Sequence, residues 1–123
     1  MARADLLKYA LIVFGVIFLL VYPLAIVWPS GWAWHAGAPY ESDYFMMIVG
    51  VYATLGVFLI LASRNPAANR SLIMFTIVSS LVHAAIMAVQ SIQMAEHMGH
   101  LYGDVPGLIA VAVVLYLLRP AQA

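Results

Sequence analysis

The stretch from Ser71 to Gln93, SLIMFTIVSSLVHAAIMAVQSIQ, decides the fold. It contains no Lys, Arg, Asp or Glu, and a bilayer core about 30 Å thick needs about 20 apolar residues of helix to cross it. Wound at about 100° per residue, Thr76, Ser79, Ser80, His83, Met87, Gln90, Met94 and His97 fall on one stripe. Polar groups turned toward lipid cost free energy, so this stripe is expected to face a bundle interior, a cavity or a partner. Such a helix implies neighbours.

Three further apolar runs flank it. Residues 6–28 are interrupted only by Lys8 and Pro23, and the run is too long for a signal-peptide core of about 7–15 residues. Residues 44–62 carry no charge, and residues 103–118 are short, spanning only if Leu101 and Tyr102 dip in or neighbours shield them. Breakers fall between the runs. Pro29, Gly31, Gly37 and Pro39 mark the first connection. Asn65 and Pro66 mark the second, with Asn65 expected to cap the next helix and Pro66 to take its first position. Gly99, Gly103 and Pro106 mark the third, with Asp104 as the expected N-cap. The expected fold is all-α, a single domain over residues 1–123 with four transmembrane helices (about 6–28, 44–62, 71–93 and 103–118) in an antiparallel bundle.

Composition leads to the same class. Of 123 residues, 66% are hydrophobic and 8% charged, with mean hydropathy +1.01, whereas a soluble domain carries roughly 25% charged residues. These values exclude a soluble enzyme and a disordered tail. Five basic and five acidic residues leave no net field for a polyanion, so nucleic acid is not an expected partner. Without cysteine there is no disulfide, thiol nucleophile, iron–sulfur cluster or thiolate metal site.

The charges also sort by connection. Arg3 and Lys8 precede the first expected helix, Arg64 and Arg70 sit between the second and third, and Arg119 follows the fourth. The other connections hold only Glu41, Asp43, Glu96 and Asp104, beside an aromatic cluster of Trp28, Trp32, Trp34 and Tyr40. Four crossings put every basic residue on one side, and the positive-inside rule makes that side the cytoplasm. The expected topology is N-in, C-in, with the lipid bilayer as first partner.

Several phrases resemble an uncharacterised family of small four-span bacterial membrane proteins, a domain of unknown function. They are Trp28-Pro29-Ser30-Gly31-Trp32, the stretch from Gly50 to Phe58, Arg70-Ser71-Leu72-Ile73, and His97-Met98-Gly99-His100 running into Gly103-Asp104-Val105-Pro106. The resemblance covers nearly the whole chain. It implies a multi-pass protein of the bacterial cytoplasmic (inner) membrane, and no activity, cofactor or substrate.

The residues leave two constellations to weigh. His83 lies near mid-span, where an ionisable group is a functional candidate by position, and Tyr52 near the middle of the second run is its candidate partner. The interior polar stripe is therefore Tyr52, Thr76, Ser79, Ser80, His83 and Gln90, read either as interhelical hydrogen bonding or as a pocket for a quinone, a lipid headgroup or a proton. No second histidine lies at the depth of His83, which argues against a bis-histidine haem within one chain. On an unbroken helix, His83 and His97 would stand about 21 Å apart at 1.5 Å per residue. Serine–histidine hydrolysis has no neighbouring carboxylate to orient the imidazole and no nucleophile elbow.

The second constellation is the outer connection. Met94, Glu96, His97, Met98, His100 and Asp104 are close in sequence and are expected to face His35, Glu41 and Asp43. Imidazole suits zinc and copper and thioether favours Cu(I), so a copper or zinc site through His97 and His100 is one reading, completed by His35, Glu96 or Asp104. A solvated polar loop is the other. Small residues (Gly50, Ala53 and Thr54; Ser80, Ala84 and Ala88) recur at spacings that let backbones approach, within the chain or in a homo-oligomer or larger membrane complex. Three functional readings remain: an accessory, binding or oligomeric membrane protein without catalytic machinery; a Cu/Zn-binding protein; and a small transporter or quinone-binding protein.

Overall fold

A proline inside a helix lacks the N–H donor and crowds the carbonyl four residues earlier. For Pro23 that carbonyl belongs to Leu19. In the computed structural model, which describes residues 2–33 and 38–120 (Pro39 and Glu96 by backbone alone), the first apolar run breaks there. It forms α1 (Arg3–Leu19) and α2 (Val21–Val27), bent by 59° about Leu20. The expected single helix through residues 6–28 is thus two, and Pro23 is the physical cause. A one-turn α3 (Pro29–Trp32) follows.

The second run forms α4 (Asp43–Ala62), opened by Ser42, whose Oγ accepts the Phe45 N–H at 3.1 Å. The third forms α5 (Arg70–Gln93) and the fourth α6 (Asp104–Leu118). Short 3-10 turns occupy Pro39–Glu41 and Pro66–Asn69, and a longer one occupies Ala95–Tyr102. The described residues include no strand. Three helical segments are long and apolar enough to cross a membrane: Asp43–Ala62, Pro66–Gln93 and His97–Leu118. The bent pair α1–α2 makes a fourth if it is one span. The shortness of the fourth run is offset by the 3-10 stretch, which brings Leu101 and Tyr102 into its helical length.

Asn65 does stand at the N-cap of the Pro66–Asn69 turn with Pro66 in its first position, but without a side-chain cap bond; its carbonyl accepts from Asn69 Nδ2 at 2.9 Å. Gly103, not Asp104, stands at the N-cap of α6, because the Asp104 carboxylate is engaged by His100.

Packing is uneven around the bundle. α1 lies close along α4, α5 lies close along α6, and α1 also meets α6, whereas α4 and α5 scarcely approach each other. The α1–α4 crossing is set by glycines: a Cβ built on Gly15 would stand 2.6 Å from the Gly56 carbonyl oxygen, and one on Gly56 would strike the Gly15 carbonyl. The expected close face, Gly50 with Thr54, points outward, and nothing lies within 4 Å of a Cβ at Gly50. On α5 the small residues do face inward, with Ser80 and Ala84 buried. Leu11, Leu59, Ile73 and Leu115 fill the core.

The two ends of the bundle differ. At one, Arg3 donates to the Arg119 carbonyl, and the Arg119 guanidinium lies 3.8 Å from the centre of the Tyr116 ring. At the other, backbones touch: Gly99 faces the Ser30 carbonyl and Gly103 faces that of Gly31, each leaving 2.5 Å to a hypothetical Cβ.

Candidate functional site

The gap between α4 and α5 is bridged through side chains. Tyr52 on α4 hydrogen-bonds His83 Nδ1 on α5, and the two rings stack with centroids 5.6 Å apart. Phe18 of α1 also packs against the Tyr52 ring, with centroids 5.1 Å apart. The expected Tyr52–His83 pairing is present in the structure. Most of the remaining stripe is satisfied locally, as Ser and Thr in apolar helices commonly are. Thr76 Oγ1 donates to the Leu72 carbonyl (2.8 Å) and Ser79 Oγ to that of Thr76 (3.4 Å). Ser80 is buried beside Ala84, and Gln90 is exposed near the C-terminal end of α5.

Beside the Tyr52–His83 bridge lies a cavity of about 620 Å³. The stripe of α5 supplies His83, Met87 and Gln90, and α4 supplies Phe45, Ile48 and Tyr52. Phe18 and Val21 close the back, and Asp104 and Leu108 of α6 form the far wall. Lining residues Tyr44, Met94 and Ile48 are themselves 82%, 47% and 42% exposed, so the cavity opens to the surface beside the start of α4 and the end of α5. Its lining includes no Lys or Arg among the described residues.

Trp32 enters this cavity from α3, with its ring over Gly107, where a Cβ would stand 3.5 Å from the indole. Its Nε1 is buried and has no hydrogen-bond partner among the described residues. Trp28, four residues earlier, differs: its Nε1 donates to Ser30 Oγ at 3.1 Å.

A buried staple fixes the chain next to Trp32. The His100 ring is 1% exposed; its Nε2–H donates to the Ala33 carbonyl at 2.8 Å, and its Nδ1 meets both Asp104 carboxylate oxygens at 3.0 and 3.1 Å. A carbonyl only accepts, so Nε2 must carry a proton. The Nδ1–Asp104 contact then needs one further proton, on either partner. Trp32 is thereby held through Ala33, His100 and Asp104 to the first turn of α6.

This geometry bears on the candidate metal ligands. His97 and His100 do stand together, rings 5.8 Å apart, because both lie in the Ala95–Tyr102 turn rather than on a continued α5. Both His100 nitrogens are committed to Asp104 and Ala33, and no group of three or more His, Asp or Glu converges on a common point among the described residues. His35, with Trp34 and Gly37, lies outside the described residues, as does the side chain of Glu96. Met94 and Met98 are exposed. The unbroken helix on which the 21 Å separation of His83 from His97 was reckoned ends at Gln93, four residues short of His97, and both histidines line the cavity.

Sequence reasoning missed Trp32, Phe18, Val21 and Phe45 as lining residues. The break at Pro23, which carries Val21 inward and brings α3 over the cavity, was the signal available for them.

The described residues thus form an all-helical chain with three helical segments, or four if the bent pair is one span, long and apolar enough to cross a membrane, and with a cavity near one end. Residues 2–123 match the model of a family of unknown function, DUF6632, and the chain belongs to that family. No curated protein and no solved structure matches it.

Proposed function

We propose that this is a four-span binding protein of the bacterial cytoplasmic membrane that holds a small amphipathic molecule entering sideways from the lipid. One observation carries the reading: the cavity of about 620 Å³, lined by both apolar and hydrogen-bonding groups, that opens where α4 and α5 stand apart. Small-molecule sites run to about 300–1,000 Å³ and combine an apolar lining with a few convergent polar groups. Tyr52, His83, Gln90 and Asp104 are among the polar side chains in its lining here. The orientation places both termini in the cytoplasm. It is supported by the grouping of Arg3, Arg70 and Arg119 at one end, since Arg3 bonds to Arg119 and Arg70 shares a cleft with it.

Native mass spectrometry of protein released gently from its membrane tests the reading. Wild type should retain an adduct of small-molecule mass. Met87→Trp, which fills the cavity from a buried position on α5, should lose it while remaining folded by circular dichroism. A bare wild type, or an adduct equally retained by Met87→Trp, overturns the reading.

A further inference from the structure

The end of the bundle opposite the cavity combines charge and apolar surface in a second arrangement. A cleft of about 220 Å³ lies between the start of α5 and the end of α6, with Arg70, Ser71, Ile73, Met74, Ile77 and Arg119 in its lining. Arg70 begins α5 and Arg119 directly follows α6, so both cations stand at the ends of helices apolar enough to cross a bilayer, where headgroups lie. Met74 is one turn deeper than Arg70, about 6 Å at 1.5 Å per residue, and Ile73 and Ile77 are buried below it. A charged rim thus gives way to an apolar wall within a single turn. Arg119 is held from two sides. Its backbone carbonyl accepts from Arg3, and its guanidinium lies over the Tyr116 ring while Nη1 donates to the Tyr116 carbonyl at 2.6 Å. A guanidinium has five N–H donors, so that one bond leaves the group able to take up an oxyanion. No acidic side chain lines the cleft among the described residues, and the acidic residue at this end is Asp5, in the first turn of α1.

We propose that this cleft binds an anionic membrane phospholipid, its phosphodiester between Arg70 and Arg119 and its first acyl carbons against the apolar wall. Arginine suits the task because its planar fork can donate two parallel hydrogen bonds to one phosphate. A zwitterionic headgroup fits worse: its ammonium would stand among Arg3, Arg70 and Arg119 with no carboxylate in the cleft lining to answer it. At about 220 Å³ the cleft is smaller than the roughly 300–1,000 Å³ of a site that encloses a drug-sized ligand, which suits a headgroup whose chains stay in the bilayer. Basic pockets between membrane helices hold anionic lipids in this way. The proposal shares with the binding-protein reading only the placement of these helices in a membrane.

The test uses the full chain, stripped of lipid in detergent and followed by native mass spectrometry with an equimolar mixture of dioleoyl phosphatidylglycerol and dioleoyl phosphatidylcholine. Wild type should retain phosphatidylglycerol about tenfold in preference, the effect of one charge-assisted hydrogen bond. Arg70→Gln and Arg119→Gln should each reduce the preference, and the double variant should abolish it. Arg64→Gln removes an exposed cation at the same end but outside the cleft lining, and should leave the preference intact. Equal retention of the two lipids by wild type overturns the proposal. So does an equal loss in Arg64→Gln, which would mean diffuse attraction rather than a site. Should the double variant fail to fold, the two single variants decide. Glycerophosphoglycerol, the same headgroup without chains, should not displace the lipid at equal concentration; displacement would overturn a lipid as the occupant and leave a site for a soluble phosphate ester. Met87→Trp should keep the preference, so that the cavity and the cleft stand or fall separately. A loss of preference there would place the lipid in the cavity and overturn the cleft.

Discussion

His100 shows how one side chain can be read two ways from sequence and only one way in space. Its spacing from His97 suggested a metal ligand, yet its buried ring spans from Asp104 to the Ala33 carbonyl and ties a connection to the start of α6. Removing either member leaves the other buried with an unmet hydrogen-bonding group, at about 1–3 kcal/mol. Asp104→Leu and His100→Leu should therefore each lower thermal stability in detergent. The double variant should lose less than the sum, with a coupling of about 0.5–3 kcal/mol between contacting partners. Strictly additive losses would show that the pair is not energetically joined. The candidate site was legible at Tyr52 and His83, because a mid-span imidazole and phenol have few alternatives to each other in an apolar bundle. It was not legible at Trp32. Nothing in the composition of that connection distinguishes an indole resting at the membrane surface, like Trp28 with its own serine partner, from one turned into a cavity.

At the scale of elements, the informative contrast is between two glycines of α4. Gly56 meets α1 backbone to backbone at Gly15, while Gly50 looks out on open space. Gly56→Ala would drive a methyl group into a carbonyl that cannot move without parting the helices, and overpacking of this kind costs about 1–3 kcal/mol. Gly50→Ala meets nothing and removes the helix penalty of glycine, about 0.5–1 kcal/mol. Thermal melts of the two variants should move in opposite directions, Gly56→Ala down and Gly50→Ala up or unchanged; a loss at Gly50 alone would place the close crossing on the wrong face. The spans themselves were readable from hydropathy, since a bilayer imposes length and apolarity on any helix that crosses it. Which small residues form the crossing was not readable, because both glycines lie in equally apolar surroundings and only the neighbouring helix distinguishes them. The bend between α1 and α2 lay between these extremes: Pro23 announced a disturbance, while its direction depends on what α2 packs against.

For the whole molecule, orientation is the first quantity to fix. Cysteines introduced at the exposed positions Ser30 and Ala68 should react with a membrane-impermeant reagent from opposite sides, position 30 from the outside. Labelling of both from one side would contradict the four-crossing topology. The weak meeting of α4 with α5 has a second consequence, which concerns assembly rather than binding. Each half of the chain, α1 with α4 and α5 with α6, contains its own tight helix pair formed between neighbours in sequence, and the halves meet where α1 touches α6 and where α3 packs on the Ala95–Tyr102 turn. A nascent chain can therefore complete the first pair in the bilayer before the second has left the ribosome. The turn at Pro66–Asn69 then serves as a tether more than as a packing element. Severed there and produced as two co-expressed fragments, residues 1–67 and 68–123, the protein should reassemble and co-purify, whereas a cut inside α4 or α5 should leave both pieces to degradation. A molecule built this way comes together as two prefabricated halves, and the seam left unsealed between them is the doorway to its interior.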